Sequence, residues 1–466
     1  MRKGKVYLVG AGPGAKDLIT VKGLEVLRQA DTVIYDYLVD KELLQEAKEG
    51  AELICCDKLR GKNYSDGFLI HNEQIGQLTA KKAREGRKVV RLKNGDPGIF
   101  SRLSQELEPL IKNKIEFEVV PGVTAASAAS CFSGVPLTDR RFSSSVVFVT
   151  GHEAAGKDKV TVNWKGIAAN GSIALYMAVE NISKVAAELI KAGKPVGTPV
   201  SAISNAGKIN QGIAVSTLEN ISGIVKKERI AAPSIFIVGE AVNLGRKFNW
   251  FCKNRHILFT GLSAKRFFLK GNYFHQPMVK IIPLDDYAGL DSHLRNVQDF
   301  NWVVFTSRYA VQYFFQRLIK TGRDVRSLHN LKIAAIGVST ANSLKELGVI
   351  ADLTPKVESS KGLLAAFKRI DLKKEKIFLP HSNISDKGLS KGLRGLGAEV
   401  VSCVAYKNIA PINLPDLDLE AFDEIIFTSP SGVRNFARRY GKPAQKTAIT
   451  CIGEVTRNQA QKIHFL

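Results

Sequence analysis

The sequence predicts an α/β chain of several lobes, and three observations carry that prediction. Short apolar runs alternate with segments of helical period from the first residues onward. Several of those runs end in turns marked by glycine or proline, the places where parallel sheets collect ligands. The last 210 or so residues contain an internal echo, which implies a duplicated lobe. A length of 466 residues suits two to four domains, and 45% hydrophobic with 24% charged residues is an ordinary globular composition.

Taken in order, Lys5 to Gly14 (KVYLVGAGPG) opens the chain as a strand running into a glycine turn. Val6, Tyr7, Leu8 and Val9 form the unbroken apolar run of a strand covered on both faces. Gly10, Gly12 and Gly14 let backbone amides approach a ligand, and Lys22 to Ala30 reads as the next helix. The same turn fits the loose dinucleotide pattern G-x-G-x-x-A, with Ala15 last and Asp36 ending the following strand. TVIYD, a helix through Glu49 and AELICC follow, then helical spacing over Asn72 to Glu85 and a return to strand in RKVVRLKNGDPGIF. Arg91 to Pro97 puts Gly95 and Asp96 at a strand end; Val119 to Ser127 turns at Pro121-Gly122 into a helix start of small residues. Three loops of this kind in one unit point to a shared pocket.

Bulk properties narrow the function classes. No apolar run approaches the roughly 18 residues of a membrane span, and MRKGK enters a strand without a signal-peptide core, so a cytoplasmic protein is expected. Cys55, Cys56, Cys131, Cys252, Cys403 and Cys451 have no CxxC spacing and read as reduced, mostly buried thiols. The eight histidines show no metal-ligand spacing and there is no phosphate loop, so no metal is expected. A formal charge of +23 invites nucleic acid as a partner. The excess is steepest in residues 251–466, with 32 Lys and Arg against 18 Asp and Glu. Those charges are dispersed, without a basic arm or interleaved aromatics, and a polyanionic small substrate explains them as well.

VGAGPG, YDYLV, VVRLKNGDP, VVPGVTAASAAS, GVPLTDR, VTGH at Val149 to His152 and APSIFIVGEAV at Ala232 to Val242 occur in one order. Over residues 3 to 250 this set resembles uroporphyrinogen-III C-methyltransferase, a tetrapyrrole methylase that uses S-adenosylmethionine. The resemblance displaces the dinucleotide reading. It implies two α/β lobes, about 1–122 and 123–250, with the methyl donor in a cleft between them. Matched by position, it implies donor contacts at Pro13, Asn94, Gly95, Asp96, Ile99, Thr124, Ala125, Met177 and Ala206. It gives Asp36 the role of proton acceptor and Lys58 that of proton donor. Methyl transfer to a pyrrole carbon needs positioning in a dry cleft, then loss of a ring proton, which is work for a carboxylate and an ammonium. Read alone, without the resemblance, Asp36 is first of all a strand-end cap and Lys58 a solvated loop residue. The chain departs from the family at LKNGDP for LKGGDP, GDPGIFSRLSQEL for GDPFIFGRGGEE, Tyr176-Met177-Ala178 for YMG and Ser204-Asn205-Ala206 for ENG. These changes predict a donor site of altered shape. The family is typically dimeric, which implies a homodimer.

After RKFNWFCKNR a new strand, HILFT, begins, and residues 251–466 form the second domain. VVFTSRYAVQYFF (Val303 to Phe315) recurs as IIFTSPSGVRNFA (Ile425 to Ala437), and IAAIGVSTANSL (Ile333 to Leu344) as AITCIGEVTRNQA (Ala448 to Ala460). Each copy reads strand, FTS turn, helix, strand, glycine turn, helix. This pattern resembles uroporphyrinogen-III synthase over residues 256 to 466. The resemblance implies two flavodoxin-like lobes joined by a β-ladder, the first strand belonging with the C-terminal lobe, around a linear hydroxymethylbilane with eight carboxylates. It makes Tyr406 the candidate for protonating the departing hydroxyl. It places Thr306, Ser307, Ser429, Ser431 and Thr456 in the cleft lining, as donors to carboxylates. Singly, Tyr406 is also a packed strand tyrosine and the Ser/Thr residues helix caps. Gly261-Leu262 replaces the usual arginine-proline, and Pro380-His381-Ser382 the usual PRG, with Lys265, Arg266 and Arg308 as possible substitutes. Aligned on Gly337 and Gly453, the second copy stops at Leu466 opposite Ile350, which predicts a shortened final lobe.

The expectation is therefore a bifunctional enzyme of tetrapyrrole biosynthesis, closing uroporphyrinogen III and methylating it to precorrin-2 for sirohaem or cobalamin, with no nucleic acid or membrane partner. A working methyltransferase with a weakened synthase lobe pair stands beside it, as does, more remotely, a basic nucleic-acid-binding protein.

Overall fold

The computed structural model describes residues 4–56, 67–151, 162–264, 267, 269–385, 387–412 and 414–466, with backbone only for 67–72. The chain divides into two compact units, Met1–His256 with Lys270–Asn272, and Ile257–Leu269 with Tyr273–Leu466.

In the first unit β1 (Lys5–Gly10), β2 (Thr32–Tyr35), β3 (Glu52–Cys55), β4 (Val89–Lys93) and β5 (Glu116–Val120) form a sheet in the order β3-β2-β4-β1-β5. Every pairing in it is parallel. Helices on both faces explain the unbroken apolar runs. Val6 and Leu8 enter one core with Ile34, Val89 and Leu110, while Val9 enters the other with Leu27, Val33, Val90 and Leu92. On β4 the alternation places Arg91 and Lys93 on the face of Val89, and both are buried.

β6 (Val146–Thr150), β7 (Ser172–Tyr176), β8 (Pro199–Ser204), β9 (Gly212–Thr217) and β10 (Ser234–Val238) make the second sheet, ordered β6-β7-β10-β8-β9. Only β6 and β7 run parallel; the other pairs are antiparallel. The helix Ala125–Ser133 lies on this sheet, where Ala126 and Ala129 meet Ala174, Ile203, Ile235 and Ile237. Small side chains allow that close approach. Helices Ile182–Lys191 and Ile221–Lys227 cover the opposite face.

From His256 onward the strands are β11 (His256–Phe259), β12 (Asn272–His275), β13 (Lys280–Ile282), β14 (Trp302–Phe305), β15 (Lys332–Ala335), β16 (Lys376–Ser382), β17 (Glu399–Ile409), β18 (Glu424–Phe427) and β19 (Ala448–Cys451). They form one sheet ordered β12-β11-β18-β19 and another ordered β13-β17-β16-β14-β15. β11 pairs in parallel with β18, so the first strand belongs with the C-terminal segment, as the synthase resemblance implies. β13 and β17 run antiparallel from Lys280↔Ile409 to Ile282↔Lys407. The internal echo is structural: β14, helix Arg308–Lys320, β15 and helix Val338–Lys345 repeat as β18, helix Pro430–Tyr440, β19 and helix Glu454–Lys462.

Candidate active site

Three strand ends meet backbone to backbone at the carboxyl edge of the first sheet. A Cβ on Gly122 would lie 2.4 Å from the carbonyl oxygen of Gly95 and 2.8 Å from Cα of Gly10, so only glycine fits. Gly12 and Gly95 exchange backbone hydrogen bonds, Gly12 N to Gly95 O at 3.2 Å and Gly95 N to Gly12 O at 2.9 Å. Asp96 ties the loops together: Gly98 N donates to Oδ1 at 2.7 Å and Gly122 N to Oδ2 at 2.9 Å. Its carboxylate is thus occupied in holding the turn. Pro13, half-buried, lies in the glycine turn beside this contact.

The second sheet contributes from β7 and β8. The hydroxyl of Tyr176 lies 2.7 Å from Thr124 Oγ1 and accepts from Ala126 N at 3.1 Å, fixing the start of helix Ala125–Ser133. The ring of Phe100 packs 4.9 Å from that of Tyr176. Ile99, Ala125 and Ala206 pack against the same apolar cluster, which includes Tyr176 and Ile203. Met177 follows with φ of +52° and is 53% exposed. The structure therefore brings Ile99, Thr124, Ala125 and Ala206 around Tyr176, with Met177 directly after it. The sequence reading gave Tyr176 no role of its own; a tyrosine closing an apolar strand just before the expected Met177 contact was the available signal.

Asp36 stands at the end of β2 on a buried charge network. Arg91 Nη2 donates to its Oδ1 at 2.6 Å and Asn94 N to its Oδ2 at 3.0 Å. Arg91 also grips Glu106, through Nε at 2.8 Å and Nη2 at 3.1 Å, and Lys93 bonds the same carboxylate. Burial pushes the Asp36 carboxyl up, but Arg91, Lys93 and the two hydrogen bonds outweigh it and hold the group below the ordinary carboxylate range. Asp36 is therefore ionised at neutral pH. The side chain of Asn94, the departure from the family pattern, leaves Oδ1 buried without a hydrogen-bond donor. Lys58 lies outside the described residues. Arg91, Lys93 and Glu106 were missed in the sequence, where charges at alternate positions of an otherwise apolar strand were the signal.

In the second unit, Thr306-Ser307 and Thr428-Ser429 follow β14 and β18 at their carboxyl ends. Ser307 caps its helix by accepting from Ala310 N at 3.0 Å, and Ser429 by accepting from Gly432 N at 3.1 Å. Tyr406, on β17 and buried, places its hydroxyl 2.8 Å from Ser307 Oγ, with the ring of Tyr313 stacked at 5.8 Å. Burial pushes that hydroxyl above its ordinary 10.0, against the pull of Ser307 and Ser382, so it keeps its proton at neutral pH. Ser431 lies 3.2 Å from Ser429 Oγ, and both Ser431 and Thr456 are buried. The pairs Tyr406 with Ser307 and Ser429 with Ser431 form; they stand on separate sheets. Arg308 packs over the ring of Tyr309 at 4.9 Å and donates to its hydroxyl at 2.8 Å; Lys265 and Arg266 lie outside the described residues.

Residues 5–222 match the family model of tetrapyrrole (corrin/porphyrin) methylases, and residues 269–465 that of uroporphyrinogen-III synthase HemD. A porphyrin biosynthesis protein HemD from Ruminiclostridium josui is 34% identical over 100% of this chain and 95% of its own length. The chain belongs to the tetrapyrrole methylases fused to a uroporphyrinogen-III synthase. Its methylase half is 44% identical to a uroporphyrinogen-III C-methyltransferase of Priestia megaterium, over 52% of this chain and 99% of that one. It is 39% identical to an S-adenosyl-L-methionine-dependent uroporphyrinogen III methyltransferase of Methanosarcina barkeri, over 52% and 93%. The fused methylase and synthase make this a bifunctional enzyme of tetrapyrrole biosynthesis, with S-adenosylmethionine as its methyl donor. The residues present suit that donor: the glycine contact leaves backbone unshielded by side chains, and the orphaned Asn94 oxygen is an acceptor of the kind that a ligand bringing amine or hydroxyl protons would satisfy.

Proposed function

We propose that residues 251–466 close hydroxymethylbilane to uroporphyrinogen III and that residues 1–250 methylate this product to precorrin-2, by way of precorrin-1. The observation that carries the methylase part is the meeting of Gly10, Gly95 and Gly122 beside an ionised Asp36. When bound, the donor supplies an electrophilic methyl group. Pro13, Asn94, Gly95, Asp96, Ile99, Thr124, Ala125, Met177 and Ala206 line its place, Asp96 by holding the turn rather than by free charge. Asp36 takes the proton that the methylated macrocycle loses, and Lys58 returns one. In the synthase half, Tyr406 is the acid for the departing hydroxyl, with Ser307 bonded to it as the group through which the proton is held ready. The basic surface suits substrates with eight carboxylates. A homodimer through the methylase unit and a cytoplasmic setting belong to the same reading; among the described residues no helix is long and apolar enough to cross a membrane.

Incubation of hydroxymethylbilane with labelled S-adenosylmethionine, followed by identification of the pigment, tests both halves at once. A doubly labelled type III product is expected. Label on supplied uroporphyrinogen III, with closure of hydroxymethylbilane no faster than the spontaneous reaction, overturns the synthase half alone. In Tyr406→Phe, closure is expected to slow by about a hundredfold, the usual worth of a general acid. Methylation of supplied uroporphyrinogen III stays unchanged.

A further inference from the structure

The charges behind Asp36 are sealed at one end and open at the other. Arg91, Lys93 and Glu106 are each 2% exposed, whereas the Asp36 side chain is 30% exposed. Every donor of Arg91 is engaged. Nε and one Nη2 proton hold Glu106, the second Nη2 proton holds Asp36, and Nη1 donates to Leu92 O at 3.1 Å and, weakly, to Ile34 O at 3.5 Å. Stability alone does not account for such a set. Buried ion pairs recover little more than the desolvation they cost, and apolar residues of similar volume usually serve as well. What the set does provide is one carboxylate, on the open side, with both oxygens fixed and its charge balanced.

We infer that Arg91 is a positioning residue for methyl transfer: through one N–H it fixes the carboxylate of Asp36 as proton acceptor, and Glu106, clamped to the same guanidinium, tempers the positive charge that Asp36 meets. The inference rests on the reading of Asp36 proposed above. The methylated macrocycle is a cation. One of its C–H bonds breaks, the electron pair forms the shifted double bond, and the proton passes to Asp36, whose charge goes from −1 to 0. An acceptor without Arg91 would be driven by burial toward its protonated form and lose the role. With Arg91 and Lys93 unbalanced it would be too weak a base. Glu106 sets the balance between these extremes. Among the described residues Cys56 also faces the network; it is 3% exposed and, its thiol pushed up to about 12 by burial, adds no charge at neutral pH. Lysine has neither the fork nor the five donors needed to hold two carboxylates at once, so Arg91→Lys is not conservative here.

The test uses the full-length protein with uroporphyrinogen III and labelled S-adenosylmethionine, following kcat and KM from about pH 5 to about pH 9 and S-adenosylhomocysteine binding by calorimetry. Asp36→Asn is expected to lose about a hundredfold or more in kcat. Glu106→Gln is expected to keep KM and S-adenosylhomocysteine binding while kcat falls about tenfold. In Arg91→Lys the acid limb of the kcat profile rises into the measured range. Wild-type kcat and pH profile in both Glu106→Gln and Arg91→Lys, with Asp36→Asn inactive, overturns the inference even if thermal stability falls. Should Arg91→Lys not fold, Glu106→Gln decides alone. Full activity in Asp36→Asn instead refutes the proton-acceptor reading, and the inference with it.

Discussion

At Cys56, burial and neighbouring charge set chemistry that the residue name does not reveal. Its thiol, pushed up to about 12, is ionised at pH 8 to about one part in ten thousand, against about a tenth for an ordinary thiol. The six thiols are all free but not mostly buried as expected: Cys56 alone is buried, Cys131 and Cys252 are exposed and the other three are half-buried, because Cys131 and Cys252 sit at helix and turn positions that face outward rather than into a core. Iodoacetamide at about pH 8 is therefore expected to label Cys131 and Cys252 in the folded protein and to spare Cys56 until denaturant is added, as peptide mass spectrometry reports. The sequence showed the absence of paired spacing but not which thiol is sealed, because sealing depends on Ile34, Val89 and Leu110 packing round Cys56 from three separate elements. Distance along the chain also hid Arg91 as the shared partner of Asp36 and Glu106: 55 residues separate it from the first and 15 from the second, and nothing local announces either pairing. Asp36 itself was legible because it ends a strand inside a recognisable motif. Whether Lys58 faces it falls outside the described residues.

Among the elements, the turns were the easiest to read and the pairings the hardest. Glycine at the ends of β1 and β4 and before helix Ala125–Ser133 marked where the chain needed unshielded backbone, and the structure packs these glycines against one another. Gly122→Ala would thrust a methyl group into the Gly95 carbonyl, so a loss of about 2 kcal/mol in stability and of S-adenosylhomocysteine binding is expected by denaturant titration and calorimetry. Gly223→Ala is the control: it lies in helix Ile221–Lys227 with nothing within 4 Å of the added carbon, and about 0.5–1 kcal/mol of gain is expected. Strand order was not legible in this way. Apolar runs show that a strand is covered on both faces, but β10 entering between β7 and β8, antiparallel to both, follows from long-range packing that no short window contains. In the second unit the FTS turns did show their function as caps, since Ser307 and Ser429 both accept from the third residue onward.

For the whole molecule, the internal echo and the run of ordered motifs exposed two different architectures in one chain. Each unit has its own sheets and cores, so two unfolding transitions are expected in calorimetry. S-adenosylhomocysteine at about a hundred times its Kd should stabilise only the methylase transition, by about 2.7 kcal/mol, and leave the other in place. A single transition that moves as one would contradict independent units. The net charge of +23 pointed equally to nucleic acid and to polycarboxylates, because net charge fixes the sign of a partner and not its identity. The family to which the chain belongs is one of tetrapyrrole methylases, and the polycarboxylate reading proposed above rests on that membership.

One pairing carries a consequence for synthesis on the ribosome. β11 binds β18 in parallel, yet about 165 residues lie between Phe259 and Glu424. At the roughly 5–20 residues per second of translation, Ile257, Leu258 and Phe259 emerge about ten to thirty seconds before their partner strand exists. For that interval the nascent chain presents an unpaired apolar edge, while the lobe encoded between β11 and β18 is complete and free to fold. A trigger-factor-like holdase retained on the elongating chain until residues past Phe427 have left the exit tunnel is the expected signature in ribosome-bound pulldowns.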